Sequence, residues 1–351
     1  MALESSSLLF TLFQEAAAQK ASDIHLAVGQ PPIFRIHGDL GIASNHEALT
    51  FDAIQSEIVR LVTPAQLDAF KSGHDVDVSY ELPSKERFRV NLYREKGRPA
   101  LAARFIPSII PTMDELDAPE AALAFVNLTQ GLVMVTGPTG AGKTTLLASM
   151  LEHMNQNRVE HIMTFEDPIE FVYEPKKSLI SQRELGTDFL TFADGLKHVF
   201  RQDPDIVMVG EMRDPETIAL ALTLAETGHL VLATLHTNGA AQTVERIIDN
   251  FPASQQQQIR QQLSLSLRGV ISQLLVPSVK GELVAVHEVL TNTNAVANVI
   301  RDGRTEQLPN IIFTSTGDHM VDLDQELHWL VEQNMITAET AKIYAHQPKN
   351  F

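Results

Sequence analysis

Cysteine is missing from all 351 residues, which excludes disulfides, thiolate nucleophiles and cysteine-held zinc and allows a reducing compartment. Basic charge is also scarce. With 27 Lys and Arg against 44 Asp and Glu, the net charge of −17 repels a phosphate backbone unless basic residues cluster strongly, so nucleic acid is a poor partner. Long apolar runs are lacking too: no window approaches the ~18–20 uninterrupted apolar residues of a membrane-spanning helix. Any membrane role must therefore pass through a partner or a peripheral contact, with no direct insertion, and the default compartment is the cytoplasm. The apolar stretch within Met1–Phe13 carries Glu4 and lacks a basic n-region, so it reads as mature protein rather than as a leader. Apolar content is ample, at 44%, and over this length it can fill the cores of about two domains.

Leu8, Leu9, Leu12, Phe13, Ala16 and Ala17 recur at three- and four-residue spacing, the pattern of an amphipathic first helix that needs a sheet to cover. Strands are expected at Asp23–Val28, Ile33–His37, Phe88–Tyr93 and Ala100–Ile106, with a helical stretch near Ile54–Phe70 between them. Together these predict a small α+β domain over residues 1–107. The prolines and acids of 108–119 have the composition of a linker. From Gly131 onward, short β-rich runs (Leu132–Val135, His161–Phe165, Ile206–Val209, Leu230–Leu235) alternate with helical segments, which predicts a parallel α/β sheet covered on both faces. Beyond Phe251, Ser254 with Gln257 has the form of a capping box, and Ile259, Leu263, Leu267, Val270, Ile271 and Leu274 fall on one helical stripe. The region from about 252 to 351 is accordingly expected to be mainly helical, within a second domain of 120–351.

The clearest chemistry lies in Gly137-Pro138-Thr139-Gly140-Ala141-Gly142-Lys143-Thr144, which satisfies G-x-x-x-x-G-K-[ST] between an expected strand and a helix that Thr145 opens. Glycines let such a loop wrap so that backbone N–H groups and the helix start face phosphates. Lys143 would reach the β- and γ-phosphates of ATP, and the Thr144 hydroxyl would join Mg2+. Hydrolysis also requires carboxylates at neighbouring strand ends, where ligands sit in open α/β sheets. Asp205-Ile-Val-Met-Val-Gly-Glu211 is a buried strand ending in an acid and makes Glu211 the first choice for orienting the attacking water. Phe165-Glu166-Asp167-Pro168-Ile169-Glu170 closes another strand with three acids, of which Asp167 is a candidate beside the metal. His229 and His236 bracket Leu230–Leu235, and His236 has the better position because it stands at the carboxyl end. A positive charge at the γ-phosphate would assist transfer. Arg89 and Arg104, on the alternating strands of the first domain, and Arg213, just after Glu211, are the candidates.

GPTGAGKTT, FEDPIEF, RQDPDIVMVGEMRDPETIALALTLAETGH and LATLHTN together resemble the secretion-superfamily ATPases. KASDIHL (20–26), RFRVNLYREKG (87–97) and LTNTNAVANVIRDGRTEQLPNII (290–312) narrow the resemblance to the PilT-type branch that drives type IV pilus retraction. The resemblance implies a homo-hexameric cytoplasmic ring working against an inner-membrane platform protein. Its subunits would pair a PAS-like first domain with a RecA-like P-loop domain, with ATP completed by a neighbouring subunit. It matches Lys143 and Thr144 to the Walker A segment, Glu166, Asp167 and Glu170 to the Asp box, Glu211 to the Walker B glutamate, and His229 and His236 to the His box. Arg89 and Arg104 match its arginine fingers. The short chain without a four-cysteine zinc site separates it from the assembly and type II secretion motors. One departure stands out: the AIRNLIR signature reads Ala295-Val-Ala-Asn-Val-Ile-Arg301, with Ala297 in place of the first arginine. That leaves open an accessory PilU-like paralogue, which would also make a paralogous ATPase a partner, or a type IV secretion ATPase of the DotB type. Outside this branch, a DNA-handling RecA-like ATPase would show DNA-stimulated turnover, and a non-hydrolysing regulatory ring would bind ATP without turnover.

Overall fold

The computed structural model describes residues 7–36, 39–43, 46–84, 86–106 and 109–351. It divides into two compact units, Met1–Ile109 and Ile110–Phe351. In the first unit, α1 (Leu8–Ala18) precedes β1 (Asp23–Ala27), β2 (Ile33–Ile36) and β3 (Asp39–Ile42), then α2 (Phe51–Leu61), α3 (Pro64–Lys71), β4 (Val76–Glu81), β5 (Arg87–Glu95) and β6 (Arg98–Ile106). The strands form one antiparallel sheet in the order β3-β2-β1-β6-β5-β4. The predicted stripe of α1 is its buried face, and Phe13 stacks on Phe88 with ring centroids 4.3 Å apart. The helical stretch expected near Ile54–Phe70 is present as two helices, because Thr63 and Gln66 close a capping box around Pro64 and start a new helix there. His37, at the expected end of β2, and Pro107 and Ser108, at the expected domain boundary, lie outside the described residues, as does Glu4. From Ile110 on, the expected linker belongs to the second unit: Ile110, Met113 and Ala118 pack against its core.

The second unit runs α4 (Glu120–Phe125), β7 (Gly131–Thr136), α5 (Lys143–Asn157), β8 (His161–Glu166), β9 (Leu179–Glu184), α6 (Phe192–Val199), β10 (Ile206–Val209), α7 (Pro215–Glu226), β11 (Leu230–Leu235) and α8 (Ala240–Asp249). It continues through α9 (Ala253–Ser266), β12 (Leu267–Pro277), β13 (Leu283–Thr291), α10 (Asn294–Arg301), α11 (Leu308–Thr314), α12 (Leu323–Glu332) and α13 (Ala338–Tyr344). Its seven strands lie in the order β13-β12-β7-β11-β10-β8-β9, all parallel except β13, which returns antiparallel to β12. Every residue of β7, β10 and β11 is buried, since helices cover both faces of the sheet. Parallel strands put their carboxyl ends on one edge. There β7 hands over to the glycine-rich loop, β8 ends in Glu166, β10 leads to Glu211 and β11 to His236.

Five of the seven elements after Pro252 are α-helices, in line with the expectation of a mainly helical end, but the other two, β12 and β13, form a hairpin that was not expected. Of the supposed stripe, Ile259 and Leu263 lie on α9, whereas Leu267, Val270, Ile271 and Leu274 lie on β12. A strand covered on both faces is apolar in nearly every position, so helical spacing can be found in it by coincidence. The capping box does not form either: α9 starts after Pro252 with no side-chain cap. Gly269 shows how tightly β12 is enclosed, because a Cβ there would lie 2.0 Å from Cζ of Phe125. Gly269→Ala is expected to cost about 1–3 kcal/mol through overpacking, seen as a lower urea midpoint. Gly317→Ala, where an added Cβ meets nothing within 4 Å, should leave that midpoint nearly unchanged.

Candidate functional site

The loop after β7 is shaped by its glycines. Gly137 and Gly142 have φ of 142° and 81°, and a Cβ would come within 2.2 Å of the Gln273 carbonyl oxygen at the first and 2.7 Å of Gln273 Nε2 at the second. Only glycine lets the backbone take this path so close to β12. Gly142 serves as the cap of α5 without a side chain of its own, so the first N–H groups of that helix have no intrahelical acceptor.

Lys143 is nearly buried. Its Nζ donates to the carbonyls of Gly137 (2.9 Å) and Pro138 (2.8 Å) and lies 3.3 Å from His236 Nδ1. An ammonium has no lone pair, so Nδ1 must accept and Nε2 carries the imidazole proton. That Nε2 faces Glu211 Oε1 at 3.5 Å, while the other oxygen of Glu211 pairs with Arg213 at 2.7 Å. Lys143, His236 and Glu211 therefore stand in a row, the first two hydrogen-bonded and the last two at ion-pair distance, and Arg213 grips Glu211 from the other side. Burial pushes the Lys143 ammonium below the ordinary lysine value, against the opposing pull of Glu211 and Glu170. Burial pushes the Glu211 carboxyl up, but Arg213, His236 and Lys143 outweigh it and hold the group below the usual range, ionised and able to accept.

Glu166 has the opposite character. Burial, only partly offset by hydrogen bonds from Thr164 Oγ1 (2.6 Å) and Gln182 Nε2 (3.1 Å), pushes its carboxyl up to about 7. Glu166, Asp167, Glu170, Glu211, Arg213 and His236 line one pocket of about 200 Å³ together with Thr139, Gly140, Lys143 and Thr144. Hard oxygen donors at Thr144 and Asp167 share the cleft with the lysine and suit Mg2+ beside a polyphosphate, whose own oxygens would complete the coordination.

Gly137, Pro138, Ala141 and Gly142 form the back of the loop, and Thr145 stands in the first turn of α5 outside the pocket lining. His229, expected as part of the site, does not reach it. It stands at the amino end of β11, opposite the loop, with Nδ1 3.1 Å from the Leu224 carbonyl and its ring edge-on to Phe200. A six-residue strand of ~3.3 Å per residue separates it from His236. Arg89 and Arg104 belong to the first unit, directly opposite one another on β5 and β6. Arg89 lies 3.7 Å from Asp77, and Arg104 donates to Asp23 at 2.8 Å. Sequence reasoning missed Gln273, whose Nε2 donates to the Ala141 carbonyl at 2.6 Å. A glutamine inside the apolar run Val270–Val276 was its signal, because a buried amide requires partners.

The fold and the site define a P-loop ATPase of the RecA-like kind. The model of the family described as Type II/IV secretion system protein matches residues 5–343, and the chain belongs to that family. It is 44% identical to the type IV pilus retraction ATPase PilT of Pseudomonas aeruginosa over 336 residues, 96% of this chain and 97% of the relative. To the type IV pilus ATPase PilU of the same organism it is 37% identical over 325 residues, covering 92% and 85%. The crystal structure of the pilus retraction motor PilT with bound ADP superposes with a TM-score of 0.92 at 39% identity, over 98% of both chains.

The Glu166 carboxyl has a consequence for stability. Between its ordinary value of 4.5 and about 7 the folded protein keeps a proton that the unfolded chain releases, so stability falls as pH rises through that window and stays low above it. Glu166→Gln should remove this fall. The variant is expected to gain about 3 kcal/mol on the parent between pH 4.5 and pH 8, read from urea midpoints of nucleotide-free protein; a constant gap across that range would refute the assignment.

Proposed function

We propose that this chain powers type IV pilus retraction as a homo-hexameric ATPase that works in the cytoplasm at the inner face of the inner membrane, against a platform protein embedded there. The observation that carries the reading is the Lys143–His236–Glu211 set at the sheet's carboxyl edge, in a chain matching a retraction ATPase along nearly its whole length. Among the described residues no helix is long and apolar enough to cross a membrane.

In this mechanism the loop 137–144 cradles the ATP phosphates, and Lys143 exchanges the carbonyls of Gly137 and Pro138 for phosphate oxygens. Thr144 and Asp167 would hold Mg2+, which supplies charge neutralisation at the β- and γ-phosphates. Glu211, ionised and fixed by Arg213, orients a water toward the γ-phosphorus. As the new P–O bond forms and the bond to the ADP oxygen breaks, Glu211 takes the water's proton and passes it to the released phosphate. Glu170 and the protonatable Glu166 set the charge beside it. His236, relieved of Lys143, is free to follow the γ-phosphate. Arg89 and Arg104 would serve a neighbouring subunit's ATP, and their exposure on the first unit's sheet supports that use. His229 has a supporting place at the far end of β11.

A second reading, an accessory paralogue that works beside another retraction ATPase, is favoured by one observation, Ala297 on α10 in place of an arginine. The higher identity to PilT than to PilU supports the first reading. Glu211→Gln is expected to lower ATP turnover ~10²-fold or more while ATP binding persists, and to leave cells with long pili that do not retract when imaged with labelled pilin. Unchanged turnover and retraction would sink the mechanism. Normal retraction in cells lacking the gene would select the accessory reading.

A further inference from the structure

The loop is held from behind by a hydrogen-bonded chain that begins near the C-terminal end of the sequence. Gln273 and His287 are register partners on β12 and β13, both nearly buried. Gln273 Nε2 donates to the Ala141 carbonyl at 2.6 Å, which turns its Oε1 toward His287 Nε2 at 3.2 Å. That oxygen can only accept, so His287 Nε2 is a donor. On its other side His287 is grasped by Glu326 of α12. One carboxylate oxygen accepts the His287 backbone N–H at 2.7 Å, and the other lies 3.4 Å from Nδ1. The peptide joining Ala141 to Gly142 is trans, since the one cis bond among the described residues is Asp167–Pro168. In a trans peptide the C=O and N–H point in opposite directions. Fixing the Ala141 carbonyl on Gln273 therefore aims the Gly142 N–H away from β12.

We propose that Gln273, held in orientation by His287 and Glu326, is a positioning residue that presents the Gly142 N–H to a nucleotide phosphate, so that helix α12 sets the affinity of the site for ATP. The inference rests on the reading that the loop 137–144 holds ATP. Among the described residues the Gln273 side chain hydrogen-bonds to Ala141 and His287 and to no member of the Lys143–His236–Glu211 set, so its loss should act on binding and leave chemistry nearly intact.

The test uses full-length protein, steady-state ATP turnover, and titration with a fluorescent ATP analogue. Gln273→Met keeps the side chain's length and removes both hydrogen bonds. It should raise KM for ATP and the Kd of the analogue ~5-fold or more, the worth of about one hydrogen bond, with kcat within ~2-fold of the parent. His287→Leu should do the same, whereas His287→Gln, which keeps a donor near the Nε2 position, should restore the parental KM. The double variant Gln273→Met with His287→Leu should match Gln273→Met alone, because the two act through one chain. If Gln273→Met does not fold, Glu326→Ala and the His287 pair decide by the same readouts. A parental KM in folded Gln273→Met, or a loss of kcat and thermal stability at constant KM, overturns the proposal. Lys143→Ala separates the two readings. Undiminished turnover there means the loop is not the ATP site and both fall, while an inactive Lys143→Ala beside a parental KM in Gln273→Met removes the positioning role alone.

Discussion

The ammonium of Lys143 is the charge around which the second unit is arranged. A cation this deeply buried is tolerable only if acceptors and counter-charges are brought to it, and each comes from a different strand end. The carbonyls of Gly137 and Pro138 follow β7, Glu211 follows β10, and the imidazole of His236 follows β11. Assembling them needs strands that all finish on one edge, hence a parallel sheet, and helices on both faces to bury it. The site's acids are also prevented from overwhelming the lysine. Glu211 stays ionised because Arg213 shares its charge, while burial, only partly offset by hydrogen bonds, pushes Glu166 toward its neutral form. Two carboxylates, one at the end of β8 and one two residues past β10, thus have opposite proton preferences, which is the condition for separating a proton acceptor from a charge-tuning group.

How much of this was legible in the sequence depends on whether a feature is local. The loop 137–144 declares itself because its glycine spacing, the preceding strand and the following helix are contiguous. The strands at 132–135, 206–209 and 230–235 are similarly plain, and the acids at their ends follow from chain direction alone. β12 and β13 were not legible as strands. β12 is a strand because it pairs with β7 across well over a hundred residues, β13 then pairs with β12, and a strand buried on both faces offers no alternation to set against a fortuitous helical stripe. His229 fails for a geometric reason: bracketing a parallel strand puts two residues at opposite edges of the sheet, and ligands are bound at only one. Arg89 and Arg104 could be named as basic residues on an outward face, and within the first unit each is found beside a carboxylate, as an exposed arginine in an acidic protein will be.

The misread C-terminal hairpin turns out to be what steadies the site. Consecutive residues of a strand face opposite sides, and β13 uses this at two neighbouring positions. His287 turns toward Gln273 and α12 and so reaches the loop. Glu288 turns the other way, accepting the N–H of Ala240 at 2.6 Å at the start of α8 and pairing with His346 at 2.8 Å. Ala240 lies four residues beyond His236, so the second contact fixes the segment that carries the imidazole. The two arms end in one region: Glu326 and Asp324 both belong to α12, and Asp324 accepts the backbone N–H groups of His346 and Gln347. The hydrogen bond that His346 Nε2 donates to the Glu288 carboxylate raises the imidazole above its ordinary value, with burial opposing and the charges of Glu288, Asp324 and Asp322 adding to it. A displacement of α12 would therefore reach the phosphate loop and the His236 segment together, through two hydrogen-bonded routes that diverge at adjacent residues. The bracing is done by an amide, two imidazoles and three carboxylates on β12, β13, α12 and the segment around His346, none of which announces itself by a motif because their partners lie outside any short window of sequence.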